Sequence, residues 1–322
     1  MKIVVIGLGS MGKRRIRHIR DMYPEYEVLG VDQRDDRRFE ASTLYDIETF
    51  PGLSNIPLGV DCAFVCTSPL SHSEIIRDCL LKNINVFSEI NLVSEGYENN
   101  IALAKKNNLE LFLSSTFLYR DETNYIKSFV STEKKWNYVY HVGQYLPDWH
   151  PWESYNDFFV ANNKTNGCRE LLAIELPWLI SSFGAVKSFN VISDTMSKLN
   201  IDYSDNYMIQ LEHDNGNKGS LIIDVVSPCP VRKFEAYAEH SYISWGGTPD
   251  SLSVFDNNKK ILETKLVTEI VDHCEGYVSF VVENAYREEI RSFFDILNGV
   301  GNHKYSFEND LEVLKLIDDI GA

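Results

Sequence analysis

Nothing in this 322-residue chain approaches the roughly 18 to 20 consecutive apolar residues that a membrane-crossing helix needs. Its opening, Met1-Lys2-Ile3-Val4-Val5-Ile6, runs into glycines rather than a long apolar leader, so the expectation is a cytoplasmic protein without a membrane partner. Basic residues are scarce: 31 Lys and Arg against 47 Asp and Glu give a formal charge of −16. A field of that sign repels phosphate backbones, which argues against a nucleic-acid partner. The six cysteines (Cys62, Cys66, Cys79, Cys168, Cys229 and Cys274) form no CxxC pair, so neither a disulfide framework nor structural zinc is expected. No His/Cys/carboxylate cluster has ligand spacing either, and no metal is expected. Prolines number only 10 and no low-complexity stretch occurs, while 44% of the residues are apolar. Disorder is thereby excluded and a substantial core is expected, with two domains suggested by length.

What is present starts at once. Lys2 to Ile6 is a short β-branched run suited to a strand buried on both faces, and it ends in Gly7-Leu8-Gly9-Ser10-Met11-Gly12. Lys13 to Tyr23 carries Ile16, Ile19 and Met22 at helical spacing and stops before Pro24. A second strand, Glu27 to Asp32, follows. Strand, glycine turn, helix, strand and terminal acid make the dinucleotide-binding βαβ unit, although a glycine-rich turn of an unrelated α/β fold is the bland alternative. In that unit Gly7 allows the turn, Gly9 lets backbone approach a pyrophosphate, and Gly12 lets helix and strand pack, while Ser10 and Met11 lie between them. Asp32 accepts from the ribose hydroxyls and disfavours a 2′-phosphate, so NAD is expected ahead of NADP. Gln33 and Arg34 fall in the same site, and Arg34 with Arg37 and Arg38 keeps NADP open.

The α/β alternation continues through a strand at 61–67, a helix at 71–82, a strand at 85–88, a helix at 94–107 and a strand at 109–114. Beyond residue 119 the pattern changes. A helix at 122–132 leads to runs at 137–145, 207–212, 220–226, 232–238 and 242–245, separated by turn chemistry such as Asp214-Asn215-Gly216. These predict an antiparallel meander, joined by helices at 169–183, 285–297 and 311–320. The fold expected is a Rossmann doubly wound parallel sheet over 1–119 and an α+β domain with an open antiparallel sheet over 120–322.

The stretches GLGSMGKRRIRHI, FVCTSPLSHSEIIRDCLLKNINVFSEINLV, GCRELLAIELPWLISSFG and SFENDLEVLKLIDDI together resemble the Gfo/Idh/MocA oxidoreductases, NAD(P)-dependent enzymes acting mostly on sugars and their derivatives. The resemblance implies that Thr67, Ser68, Pro69 and His72 line the cofactor, and that Glu89, with Ile90 and Asn91 after it, lies at the nicotinamide end. It also implies association into a homodimer or homotetramer through the C-terminal sheet. On position alone His72 could equally be a surface helix cap.

Departures from the family pattern shape the chemistry. Family members usually read Glu-Lys-Pro where this chain reads Glu89-Ile90-Asn91, so the proton-sharing lysine is absent. The family also has an Asp and, four residues on, a His in one helix. Counting back from Phe183-Gly184 puts Glu170 and Ile174 there; counting forward from Gly167 puts Leu171 and Glu175 there. The candidate substitutes are Glu170 and Glu175 as acid–base groups, with Arg169 beside them and His150 supplying an imidazole. Asn91 would donate a hydrogen bond near the reacting carbon. Trp149 and Trp152 suit stacking on a sugar ring, and Arg120 would anchor an acidic or phosphorylated group. The structural alternatives are a salt-bridged helix face for the glutamates, a rigid packed loop for the tryptophans and an ion pair for Arg120. The Arg169-Glu170 to Leu179 helix and the Trp149-His150-Pro151 segment also resemble a branch associated with surface-polysaccharide sugar biosynthesis. The function expected is an NAD-dependent oxidoreductase for a sugar or nucleotide-sugar-like substrate, the alternatives being a redox-neutral NAD-containing lyase or glycosidase, or a non-catalytic NAD-binding subunit.

Overall fold

The computed structural model describes residues 1–149, 153–268, 271 and 282–322. They divide into two compact units, one formed by Met1–Ser115 and Tyr286–Leu314, the other by Thr116–Ala285 and Lys315–Ala322. Where the sequence pattern suggested a single boundary at 119, the segment 286–314 is grouped with the N-terminal unit.

The first unit alternates β1 (Lys2–Ile6), α1 (Ser10–Met22), β2 (Glu27–Val31), α2 (Asp35–Tyr45), β3 (Glu48–Phe50), β4 (Cys62–Val65), α3 (Pro69–Leu81), β5 (Asn85–Ser88), α4 (Tyr97–Asn107) and β6 (Leu111–Leu113). All six strands are parallel, in the order β3-β2-β1-β4-β5-β6. Pairing Val4 with Leu29 on one side and Ala63 on the other puts β1 at the centre. That is why its sequence is continuous apolar rather than alternating. Phe64, Phe87 and Phe112 stack across β4, β5 and β6 with centroids 4.6 and 4.9 Å apart, and Phe293 meets all three. Neither α2 nor β3 was anticipated: α2 buries only Ala41 and so has no apolar stripe, and β3 is three residues long.

The second unit contains α5 (Asp121–Val130), β7 (Asn137–Gly143), α6 (Gly167–Phe183), β8 (Val186–Asp194), β9 (Asn206–His213), β10 (Lys218–Asp224), β11 (Val231–Ala238), β12 (Ser241–Trp245), β13 (Ser253–Asp256) and β14 (Ile261–Thr264). Two further helices, α7 (Glu283–Leu297) and α8 (Phe307–Ile320), follow. The eight strands run in the order β14-β13-β12-β11-β7-β10-β9-β8. This is not the simple meander expected, because β7 is inserted between β11 and β10 and pairs parallel with β10, Tyr140 opposite Leu221. The chain leaves β7 through α6 and returns by β8 and β9, so β10 enters in the direction of β7. Alternation in β7 buries Tyr138, Tyr140 and Val142 on one face. Against that face lies α6, through Phe183 on Tyr138 and Trp178 on Tyr140 and Phe234. The opposite face carries Val139, Met208, Tyr237 and Ile192, all exposed.

Candidate dinucleotide site and acid–base site

In the first unit the sheet order reverses between β1 and β4, the switch point where parallel sheets collect ligands beyond their carboxyl ends. The glycine loop follows β1, Asp32 follows β2, and Thr67-Ser68-Pro69 follows β4, so the sequence-selected cofactor residues gather at one sheet edge.

Gly7 has φ +93°, and a Cβ there would stand 2.7 Å from the Cys66 carbonyl oxygen. Only glycine fits. A Cβ on Gly12 would fall 1.9 Å from the Gly7 carbonyl oxygen, so α1 can begin this close to the turn only without a side chain. At Gly9 the space is open, its nearest neighbour being the Arg37 Nη1, 3.5 Å from the Cβ position. Helix α1 has no side-chain N-cap and no acid in its first turn. Its leading amides are therefore available to an anion, and the loop fits a pyrophosphate.

Asp32 is held in place by its own backbone surroundings. Its Oδ2 accepts from the Leu8 amide at 2.8 Å and its Oδ1 from the Arg34 amide at 2.9 Å, leaving one further lone pair on each oxygen for ribose hydroxyls. Gln33 is exposed, and Arg34 pairs with Asp36 rather than with Asp32. Ser10 and Met11 are half-buried in the first turn of α1, the Met11 Sδ accepting from Arg14.

His72 is no surface cap. It is buried, with Nε2 2.8 Å from the Thr67 carbonyl oxygen and Nδ1 2.6 Å from the Asn91 side-chain amide. Burial pushes the imidazole pKa below its usual range, leaving a neutral ring with a single N–H. That hydrogen sits on Nε2 and is donated to the Thr67 carbonyl oxygen, so hydrogen-bond logic turns the Asn91 amide nitrogen toward Nδ1. The same orientation gives a partner to a buried amide nitrogen that otherwise has none. Asn91 therefore braces His72, and His72 braces the Thr67 turn.

Glu89 likewise turns inward. It accepts from Arg15 Nε at 2.6 Å, while Arg15 Nη2 donates to Glu289 at 2.7 Å and Ser114 at 3.2 Å. The guanidinium is fully buried and lies 4.6 Å from the Phe87 ring centroid. With its carboxylate committed to Arg15, Glu89 is a structural group under the cofactor edge, and Ile90 alone of this tripeptide is part-exposed.

In the second unit the expected catalytic helix separates into three different environments. Glu175 is wholly buried and engaged, its carboxylate accepting from Tyr140 OH at 2.8 Å and Trp178 Nε1 at 2.7 Å and pairing with Arg232. Arg169 is tied to the Ala322 carbonyl oxygen at 2.7 Å and to Asp318 at 2.8 Å. Arg120 pairs with Glu122 at 3.0 Å, donates to the Gly247 carbonyl oxygen at 3.1 Å and lies 4.9 Å from the Trp245 ring centroid. All three charges are buried and paired, the arrangement that the ion-pair alternative describes.

Glu170 stands apart. It lies in the first turn of α6, where the Asn166 side chain caps the Arg169 amide, and its Oε2 is out of water with no partner among the described residues. Burial raises its carboxyl pKa to about 7, the range in which a carboxyl can both take and give a proton near neutrality. Trp149 donates its indole N–H to the Gln144 carbonyl oxygen at 3.1 Å, and its ring edge reaches the Gly167 turn, three residues before Glu170. His150 and Trp152 lie outside the described residues. Sequence reading missed Arg232, which pairs with Glu175, and the pair His141–Asp224, joined at 2.7 Å across β7 and β10. Nothing local marks them, since each acquires its role from a strand or turn distant in sequence. No group of three or more metal-ligating side chains occurs among the described residues. Nor does any helix there have the length and apolarity to cross a membrane.

No curated protein matches the chain in sequence. Solved structures resemble it over nearly its whole length. An oxidoreductase from Agrobacterium radiobacter, solved with NAD+, L-tartaric acid and magnesium, superposes with TM-score 0.80 at 12% identity, over 99% of this chain and 94% of that one. The WlbA dehydrogenase of Bordetella pertussis, solved with NADH and UDP-GlcNAcA, gives 0.78 at 14%, over 100% and 95%. Biliverdin reductase from Synechocystis, solved with biliverdin and NADP+, gives 0.78 at 15%, over 99% and 98%. These likenesses are of fold. In sequence, residues 1–114 match the family described as "Oxidoreductase family, NAD-binding Rossmann fold". That match covers the N-terminal 114 of the chain's 322 residues, the part that carries the glycine loop and Asp32.

Proposed function

We propose that this protein is an NAD-dependent oxidoreductase acting on a secondary alcohol or ketone of a sugar or nucleotide-sugar-like substrate. The observation that carries the reading is the open glycine cradle at the sheet switch point, with Asp32 fixed beside it by two backbone amides. NAD(H), when bound, supplies the hydride acceptor or donor. Backbone amides at the start of α1 hold the pyrophosphate, Asp32 takes the ribose hydroxyls, and the Thr67-Ser68-Pro69 turn, braced by His72 and Asn91, shapes the far end. In the second unit, Glu170 moves the hydroxyl proton at its Oε2, helped by the burial that raises its pKa to about 7. Trp149 provides apolar area for a sugar ring.

Support for the substrate class comes from the fold likeness to WlbA, solved with UDP-GlcNAcA, and a role in surface-polysaccharide sugar biosynthesis fits the same class. The exposed apolar residues on the far face of the second sheet are the surface through which copies of the chain would associate. The test is titration with NADH followed by nicotinamide fluorescence, and then a screen of sugar nucleotides for change in nicotinamide absorbance. NADH formed in step with product supports the proposal. Product formed with no net change in nicotinamide indicates a redox-neutral enzyme, and absence of NADH binding overturns the reading.

A further inference from the structure

Behind the Thr67 turn, the first unit holds a line of buried polar side chains. His72, in α3, stands between the Thr67 carbonyl oxygen and the Asn91 side chain. Asn91 is in turn a hydrogen-bonding neighbour of the Tyr97 hydroxyl, at the start of α4. Tyr97 Oη lies 2.5 Å from Asp310 Oδ2, in the first turn of α8, and Asp310 Oδ1 accepts from the Tyr305 hydroxyl at 2.9 Å. None of these five side chains belongs to a residue more than 7% exposed.

The count of hydrogens decides which way each link points. A neutral His72 gives its one hydrogen to Thr67, so the Asn91 amide nitrogen serves Nδ1 and the Asn91 oxygen faces Tyr97. Tyr97 has a single hydrogen to give. If Asp310 is a carboxylate it takes that hydrogen, and the Asn91 oxygen is left buried against a phenol lone pair. If Asn91 is turned over to serve Tyr97, the His72 ring needs a second hydrogen, and a cation is buried in its place. A protonated Asp310 satisfies every group without a charge: its O–H donates to Tyr97, Tyr97 to Asn91, Asn91 to His72 and His72 to Thr67. Burial disfavours both charged alternatives, and 2.5 Å suits an O–H···O bond in either direction. The other ionisable groups against this line are Glu89, paired with Arg15, beside His72, and Tyr305 beside Asp310.

We infer that Asp310 is a protonated positioning residue, which fixes the Thr67 turn through Tyr97, Asn91 and His72. The inference rests on the proposal that this turn shapes the nicotinamide end of a dinucleotide site.

Infrared difference spectra of the full chain at neutral pH, wild type minus Asp310→Asn, test the proton without any ligand. The carbonyl stretch of a protonated carboxyl should be present in the wild type and lost in the variant; a carboxylate band in its place overturns the inference. Titration with NADH by nicotinamide fluorescence tests the positioning, with ADP as a competitor that reports on the glycine loop and Asp32 alone. Asp310→Leu should weaken NADH by about fivefold or more, the worth of one hydrogen bond, and ADP by less than about twofold. Asp310→Asn, whose amide N–H replaces the acid O–H, should recover most of that loss, whereas Tyr97→Phe, which cuts the line in the middle, should resemble Asp310→Leu. If Asp310→Leu does not fold, Tyr97→Phe against Asp310→Asn makes the same comparison. Asp310→Asn as weak as either of them overturns the inference, because a carboxylate would then be what the turn needs. Equal weakening of NADH and ADP overturns it too, being the mark of a general loss of structure. Wild type that binds no NADH overturns the cofactor reading instead, and the infrared band still decides where the proton is.

Discussion

Arg232→Met is the perturbation whose consequence is best determined by the geometry of the second unit. The Arg232 side chain is only 11% exposed and pairs with a Glu175 side chain that is 0% exposed. Its Nε also donates to Tyr140 OH at 3.2 Å, and its guanidinium lies 4.6 Å from the Phe117 ring centroid. Methionine fills most of the volume but strands the carboxylate with two neutral donors, Tyr140 and Trp178. Removing one partner of a buried pair costs about 3–5 kcal/mol, most of it the penalty for the charge left behind. In a unit of this size that corresponds to a fall of roughly 6–20 °C in melting temperature. Trp178 donates directly to Glu175, so tryptophan fluorescence during thermal or urea unfolding reports on the network itself. The double variant Arg232→Met/Glu175→Leu removes both charges and should recover most of the loss, because apolar replacement of a whole buried pair is often neutral or stabilising. A single variant within about 1 kcal/mol of wild type would refute the reasoning, as that is the value of an exposed pair. So would a double variant no more stable than Arg232→Met.

Gly12→Ala puts a Cβ within 1.9 Å of the Gly7 carbonyl oxygen, so it should abolish NADH binding in the fluorescence titration while leaving the tryptophan-monitored transition of the second unit in place. Asp32→Ala should weaken NADH several-fold or more, and unchanged affinity would remove the ribose assignment. Glu170 has a folded pKa of about 7, above its usual 4.5. A carboxyl raised in this way contributes stability that is full below its unfolded pKa and fades as pH rises toward 7. Unfolding measured from pH 4.5 to 8 should therefore show wild type losing stability relative to Glu170→Gln; parallel curves would place the carboxyl in water. For turnover, Glu170→Gln should cut kcat with little change in NADH affinity, and a fully active variant would end its catalytic role.

The glycine loop, its flanking strands and Asp32 were legible because their signals are local: a β-branched run, a required turn and an acid, all within the first 32 residues. The inward commitment of Glu89 was not legible. Its partner Arg15 lies 74 residues away in sequence, and Arg15 is shared with Glu289, 274 residues from it. Glu170 and Glu175 read alike as charges in an apolar helix. Only packing separates them, since Glu175 meets Arg232 from β11 and Glu170 meets no cation among the described residues. The position of β7 in its sheet was similarly hidden, because the length and polarity of a strand do not state which neighbours it will have.

The division of the first unit into two stretches of chain bears on the order of folding during synthesis. Helix α1 is made early, but the second carboxylate for its buried Arg15 arrives with Glu289, after the whole eight-stranded sheet has been synthesised. Phe293, which caps the Phe64–Phe87–Phe112 stack, arrives at the same time. The nascent dinucleotide-binding half must therefore wait as an incomplete α/β layer, its aromatic row without Phe293, until residues 286–314 have been synthesised. Though translated first, this half cannot be completed until residue 314 has been made, and residues 1–115 expressed alone should aggregate unless residues 286–314 are supplied with them.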